Sequence, residues 1–222
     1  MREPHPSPIP LALPAEPPAA GEVGYFPLLQ GANPAFLPAR AVFLFHPGML
    51  FGSRERWWGN PAPRPTPHEG LDLWLWEDDA AQAYTLPVTF RVPAPFPGVV
   101  ARLLPDFLGL TVCLRHAVAQ GETCLYSLLG HLRPRDDLRE GSRVAAGDIL
   151  GTLAAPQKPT RVPPHLHLTL VFLPPAQEGE LLDWGVLGRH PAVRLVDPLP
   201  WLRLPHRLIR ELPLPPESRG MP

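Results

Sequence analysis

An all-β fold built mainly from antiparallel strands is what this sequence predicts, and three observations predict it. The 222 residues include 35 prolines, far above the usual share of about 5%, and proline breaks helices in their interior. From Ala41 onward the chain alternates short apolar runs with Gly- and Pro-bounded connections, the rhythm of strands and tight turns. A helical period is hard to find outside a short segment near Arg207 to Leu212.

The elements follow in order. Residues 1–40 carry prolines at Pro4, Pro6, Pro8, Pro10, Pro14, Pro17 and Pro18 and the loop-like run Gln30-Gly31-Ala32-Asn33-Pro34, so they read as an irregular N-terminal arm. Strands are expected over Ala41–Phe45, Leu71–Trp76, Thr89–Pro93, Gly98–Leu104, Leu110–His116, Thr123–Leu129, Ile149–Leu153 and Leu166–Phe172. The length suits one domain, placed at residues 41–205, with residues 206–222 as a C-terminal tail. Cys113 and Cys124 flank a turn read at Val118 to Gly121, and antiparallel counting sets them opposite each other. They are therefore either a cross-strand disulfide or, in the preferred reading, two small buried thiols.

Composition excludes several classes. The formal net charge is -1 with acids and bases interspersed, so the basic stripe needed for a phosphate backbone is missing and no nucleic acid partner is expected. Residues 1–20 contain no continuous apolar stretch of the kind a secretory signal needs, and no transmembrane run is visible. The expected location is the cytoplasm, or outside it with the signal lying outside this chain.

The chemistry sits in histidines. His68-Glu69-Gly70-Leu71-Asp72 puts an imidazole just before a strand and a carboxylate on it, with Gly70 read as the bend between them. His165-Leu166-His167 opens a strong strand, and a period of two sends both rings to one face. Catalytic zinc takes three nitrogen or oxygen ligands and keeps a fourth position open. His68, Asp72 and one of His165 or His167 meet that count and leave a histidine over for proton transfer. Neither cysteine lies in a Cys-x-x-Cys motif, which argues against a thiolate-rich structural site.

At these residues the chain resembles the lysostaphin-like zinc metallopeptidases with LytM domains. Phe51-Gly52-Ser53-Arg54, His68 to Asp72, Pro95 to Val100, Tyr126 to Leu132 with Gly130-His131-Leu132, Gly141 to Gly151, His165-Leu166-His167 and Val196 to Pro200 follow the family's order. The resemblance implies a metallopeptidase domain of antiparallel sheets forming a groove, of the duplicated hybrid, barrel-sandwich-like kind. It implies one Zn2+ held by His68, Asp72 and His167, with His131 and His165 as catalytic proton carriers beside the bound water. It implies a zinc metalloendopeptidase acting on peptide bonds of peptidoglycan cross-links. Val162-Pro163-Pro164 and Leu168-Thr169 depart from the family pattern around the His-x-His.

Arg54 and the tryptophans Trp57, Trp58, Trp74 and Trp76 are candidate substrate-groove residues, Trp74 and Trp76 before the others, since guanidinium pairs with carboxylate and aromatic faces stack on sugars and extended peptides; a salt bridge for Arg54 and core packing for the tryptophans are the equal alternatives. His46, His116, His190 and His206 are read as hydrogen-bonded structural residues. Two alternatives stand beside the wall peptidase: a zinc peptidase acting on a non-wall peptide, and a catalytically silent peptidoglycan-binding regulator of the same fold. A lipoyl- or biotinyl-type carrier, suggested by Gly141 to Leu153, fails because the only lysine, Lys158, lies in a proline-bounded loop and not at the hairpin turn. The sequence does not set the oligomeric state.

Overall fold

The computed structural model describes residues 24–59, 63–156 and 161–213, and its strands pair almost entirely antiparallel. In chain order the strands are β1 (Val42–Phe45), β2 (Leu71–Leu73), β3 (Leu75–Glu77), β4 (Ala83–Thr85), β5 (Arg91–Pro93), β6 (Gly98–Pro105) and β7 (Leu110–Gln120). They continue as β8 (Thr123–Pro134), β9 (Arg143–Val144), β10 (Ile149–Leu153), β11 (Leu166–Leu173), β12 (Arg194–Val196) and β13 (His206–Leu208). Among the described residues three short α-helices, α1 (Tyr25–Ala32), α2 (Glu178–Leu181) and α3 (Pro198–Leu202), and two 3-10 turns, Pro47–Met49 and Pro175–Gln177, complete the set.

A nine-stranded sheet runs β12-β11-β8-β7-β6-β9, with β2 added beside β11 and with β10 bridging β8 and β5. A four-stranded sheet runs β13-β1-β3-β4, and its β1–β13 pair is parallel. The apolar run read as one strand, Leu71 to Trp76, is divided at Trp74, because Leu71–Leu73 pairs with β11 whereas Leu75–Glu77 pairs with β1 and β4. One hydrophobic stretch thus stitches the two sheets together. β8 and β11 carry the centre of the core: β11 is buried along its whole length, so its apolar residues face protein on both sides of the sheet.

Three expectations are corrected. Residues 24–40 are not an irregular arm: α1 buries Tyr25, Phe26 and Leu29, and Leu37 follows them into the core. The Tyr25 hydroxyl donates to Pro93 O at 2.7 Å, while the Asn33 side chain accepts from Arg91 N at 2.7 Å and donates to Arg91 O at 2.8 Å. Pro27 is compatible with this helix because it falls in the first turn, where backbone N–H groups have no helical partner in any case. The rest of the arm, residues 1–23, lies outside the described residues, as does 214–222 of the tail.

The second correction is at the start of that tail, where the segment with a helical period instead contributes His206–Leu208 as an edge strand alongside β1. The third concerns the cysteines. The β7–β8 turn falls at Gly121, and a bulge between Arg115 and Ala119 shifts the register, so Cys113 faces Leu128 and Cys124 faces Ala119. Only their opposition is overturned: both are free thiols, as the preferred reading has it, Cys113 buried and Cys124 partly so, and burial pushes Cys113 up from the usual thiol range. Among the described residues no helix is long and apolar enough to cross a membrane.

His116, on β7, is a structural histidine as expected. Its Nδ1–H donates to Pro97 O at 2.9 Å, and the Ser127 hydroxyl donates to its Nε2 at 2.8 Å. A proton on Nε2 would remove that acceptor, and burial lowers the group to about 4. The unfolded imidazole, with a pKa of about 6.5, binds a proton the folded one refuses, so stability falls as the pH drops from about 6.5 towards 4. The expected loss from this group is about 2–3 kcal/mol. Urea unfolding at pH 7 and pH 4.5 should show a markedly smaller drop in His116→Gln than in the parent, and equal drops would remove the assignment.

Candidate metal centre

The register of three strands builds the site. His167, second residue of β11, lies opposite Asp72 of β2 on one side and opposite Gly130 of β8 on the other. Asp72 and His167 are therefore a cross-strand pair, close enough for direct contact. His68 reaches the same point from the loop before β2, which is pinned by Gly52 N to His68 O and His68 N to Ser53 O, each at 2.8 Å. Gly70 lies at a bend, as expected, though its φ is not in the left-handed region, and it also serves close approach. A Cβ there would sit 2.5 Å from Leu168 O and 2.7 Å from Thr169 Oγ1, so only glycine lets the loop lie against β11.

Three ligand-type atoms converge. His68 Nε2 lies 3.2 Å from His167 Nδ1 and 3.2 Å from Asp72 Oδ1, and His167 Nδ1 lies 2.7 Å from Asp72 Oδ1. Three ligands of a tetrahedral zinc, at bonds of about 2.0–2.2 Å, stand about 3.3–3.6 Å apart, so the cluster matches with small outward movements. Its chemistry matches as well. His68 Nδ1 faces Leu50 O at 3.1 Å and must be the N–H, which leaves a lone pair on Nε2 of the neutral ring. His167 Nε2 lies 3.0 Å from Thr169 Oγ1, a hydroxyl able to accept its proton when Nδ1 binds an ion. Two imidazole lone pairs and a carboxylate oxygen, all buried, point at one small volume. Burial alone would raise the Asp72 carboxyl, but the charges of His68 and His165 and hydrogen bonds from His167 and His68, whose ring nitrogens carry protons towards Oδ1 when no ion is bound, hold it well below the usual carboxylate range; an ion would take the place of those protons. Its other oxygen, Oδ2, accepts the indole N–H of Trp57 at 2.6 Å and lies 3.5 Å from the Arg64 guanidinium.

Two further rings flank the cluster. His165 points Nδ1–H at Pro163 O, 2.8 Å away, and holds Nε2 3.6 Å from Asp72 Oδ1. Burial lowers it to about 4, against the raising effect of Asp72. His131 stacks edge-on against His165 at 4.6 Å between centroids. It adopts φ +64, the left-handed region that L residues seldom visit. Asp106 holds it there, accepting from His131 N at 2.8 Å on Oδ2 and from its Nδ1–H at 3.0 Å on Oδ1. The same carboxylate accepts from the Leu108 and Gly109 amides and from the Thr111 hydroxyl, and these bonds with those from His131 keep it well below the carboxylate range against the opposing effect of burial.

All five sequence-selected histidine and aspartate positions thus line one cleft of about 430 Å³, whose rim includes Trp58, Arg64, Glu69, Phe107 and Trp184. Of the groove candidates Trp58 lines the cleft, whereas Trp57, Arg54, Trp74 and Trp76 are placed elsewhere. Arg54 is exposed outside the cleft, Trp74 is buried behind Trp57 with ring centroids 5.0 Å apart, and Trp76 stacks on Tyr84 in the other sheet. Phe107, 66% exposed, packs edge-on to His131, and Trp184 does so to His167. Sequence reasoning passed over Asp106, Arg64, Phe107 and Trp184. Only Asp106 carried a signal, as an aspartate three residues before a glycine, and that signal reads as a turn.

Fold and site together define an antiparallel β protein with a buried His-Asp-His cluster opening on a cleft that two more histidines share. No family model and no curated protein matches the chain. Among solved structures it is similar to the catalytic domain of the antimicrobial peptidase lysostaphin from Staphylococcus simulans, at 16% identity over 69% of this chain and 89% of that one, with a TM-score of 0.42. It is similar to LytU at 25% identity over 70% of this chain and 83% of that one, TM-score 0.41. It is also similar to a zinc-containing peptidase from Vibrio cholerae at 18% identity over 70% of this chain and 36% of that one, TM-score 0.41.

Proposed function

We propose that this chain is a zinc-dependent peptide hydrolase whose metal is held by His68, Asp72 and His167. The observation that carries the reading is the convergence of three buried lone-pair donors within 2.7–3.2 Å of one another, beside two histidines that are not needed as ligands. A closed structural site would need a fourth protein ligand, whereas three donors facing a cleft are the arrangement of a catalytic one. A zinc ion there supplies a Lewis acid that polarises a carbonyl and lowers the pKa of water from 15.7 to about 7.

The chain's own residues supply the rest. His131 and His165 each have Nδ1–H engaged, by Asp106 and by the Pro163 carbonyl, so each presents Nε2 for proton transfer. A carboxylate stands behind His131 and only a neutral carbonyl behind His165, which makes His131 the ring better supported while carrying a proton to a leaving amine. The cleft, lined by Trp58, Phe107 and Trp184, suits an extended peptide laid against aromatic faces. The ordered motif resemblance favours the peptide cross-links of peptidoglycan as the substrate.

Incubating the zinc-loaded chain with purified peptidoglycan and, separately, with a panel of soluble peptides tests both levels. New amino termini are expected from the wall material, with loss on chelation and return on adding zinc. Cleavage confined to soluble peptides moves the substrate away from the wall, and a zinc-loaded chain that cuts neither removes the hydrolase.

A further inference from the structure

Asp72 has two oxygens in different surroundings. Oδ1 faces the ring nitrogens of His68, His165 and His167, while Oδ2 is turned away into a buried contact with Trp57 and Arg64. The Trp57 indole N–H donates to Oδ2 at 2.6 Å, a short charge-assisted bond, and the indole is itself fixed by stacking on Trp74 and by an edge contact to His165 at 5.1 Å. Its segment passes so close to Gly48 that a Cβ there would meet Trp57 N at 2.8 Å, so the backbone is also held in place. Arg64 is tied down in turn, donating from Nε to Glu55 O at 3.0 Å and from Nη2 to Gly48 O at 3.1 Å.

The geometry points to Trp57, assisted by Arg64, as a positioning residue that commits Asp72 to the metal through one oxygen alone. This rests on the reading of His68, Asp72 and His167 as the metal ligands. A carboxylate free to pivot can offer both oxygens and fill the open coordination position. With Oδ2 held by a donor, the set stays at three protein atoms and the fourth position stays available. Outer-shell hydrogen bonds of this kind are worth about 10- to 100-fold in metal affinity. Trp57 is thus a device of the metal centre, not a wall of the cleft.

Trp57→Phe keeps the stacking ring and deletes only the N–H. Zinc affinity is read by competition with a chromogenic chelator, and coordination number by the visible absorption of the cobalt(II)-substituted chain. The expected results are about 10- to 100-fold weaker zinc binding, and cobalt bands that weaken as the ion moves from four-coordinate towards five-coordinate. Arg64→Met is carried through the same two assays as a second variant with Trp57 intact, and a smaller change in the same direction is expected. Unchanged affinity and unchanged cobalt bands in both variants would overturn the inference. A parent chain that binds neither metal would instead overturn the metal centre itself, and Trp57's role with it.

Discussion

Replacing His131 or His165 by alanine should leave the metal in place and lower kcat by about 10²- to 10⁴-fold, the usual worth of a positioned acid or base. Neither ring is among the three converging ligands, and neither replacement touches the Asp72–His167 pairing. KM should move little, because both side chains sit beside the reacting position and not along the aromatic rim. If the two rings act on one proton path, the double variant will fall little further than the worse single one. Turnover is measured on zinc-saturated protein whose metal content is checked alongside, and full activity in either single variant would refute that ring's role.

The second large effect is loss of the ion itself. His68→Ala or Asp72→Ala leaves two of three ligands, and the purified variants should carry little zinc and show only background hydrolysis. Asp72→Ala should do further damage, since the buried Trp57 N–H loses its acceptor, at a cost of about 1–3 kcal/mol. His190→Ala, an exposed histidine that is not part of the cleft lining, is the matched control and should keep both metal and activity. Elemental analysis with parallel activity measurements decides it, and zinc retained at parent level in His68→Ala would exclude that residue as a ligand.

What the sequence discloses and what it hides divide along a physical line. Strands β6, β7, β8 and β11 are legible because their apolar runs are long and end at Gly or Pro. His68, Asp72 and the His-x-His pair are legible because loop spacing and a period of two are local properties. Trp57 and Asp106 are not, because each matters through a contact far along the chain, Trp57 to Asp72 and Asp106 to His131. A lone tryptophan or aspartate announces no such contact.

The same holds for α1, where Pro27 and a mere eight residues conceal a helix that tertiary burial of Tyr25, Phe26 and Leu29 sustains. The expected opposition of the cysteines failed because β7 runs on to Gln120, so the strands turn at Gly121 and not around Val118, and Cys124 meets Ala119. The groove candidates Trp74 and Trp76 were misplaced because the chain crosses between sheets at Trp74, which buries both rings.

The most direct test of the central claim is a crystal of the zinc-soaked chain with diffraction recorded on both sides of the zinc edge. A single anomalous peak is predicted, bonded to His68 Nε2, Asp72 Oδ1 and His167 Nδ1 at about 2.0–2.2 Å, with His131 and His165 unbonded beside it. A peak ligated by His165 in place of His167, or no peak between residues 68 and 167, would contradict the account.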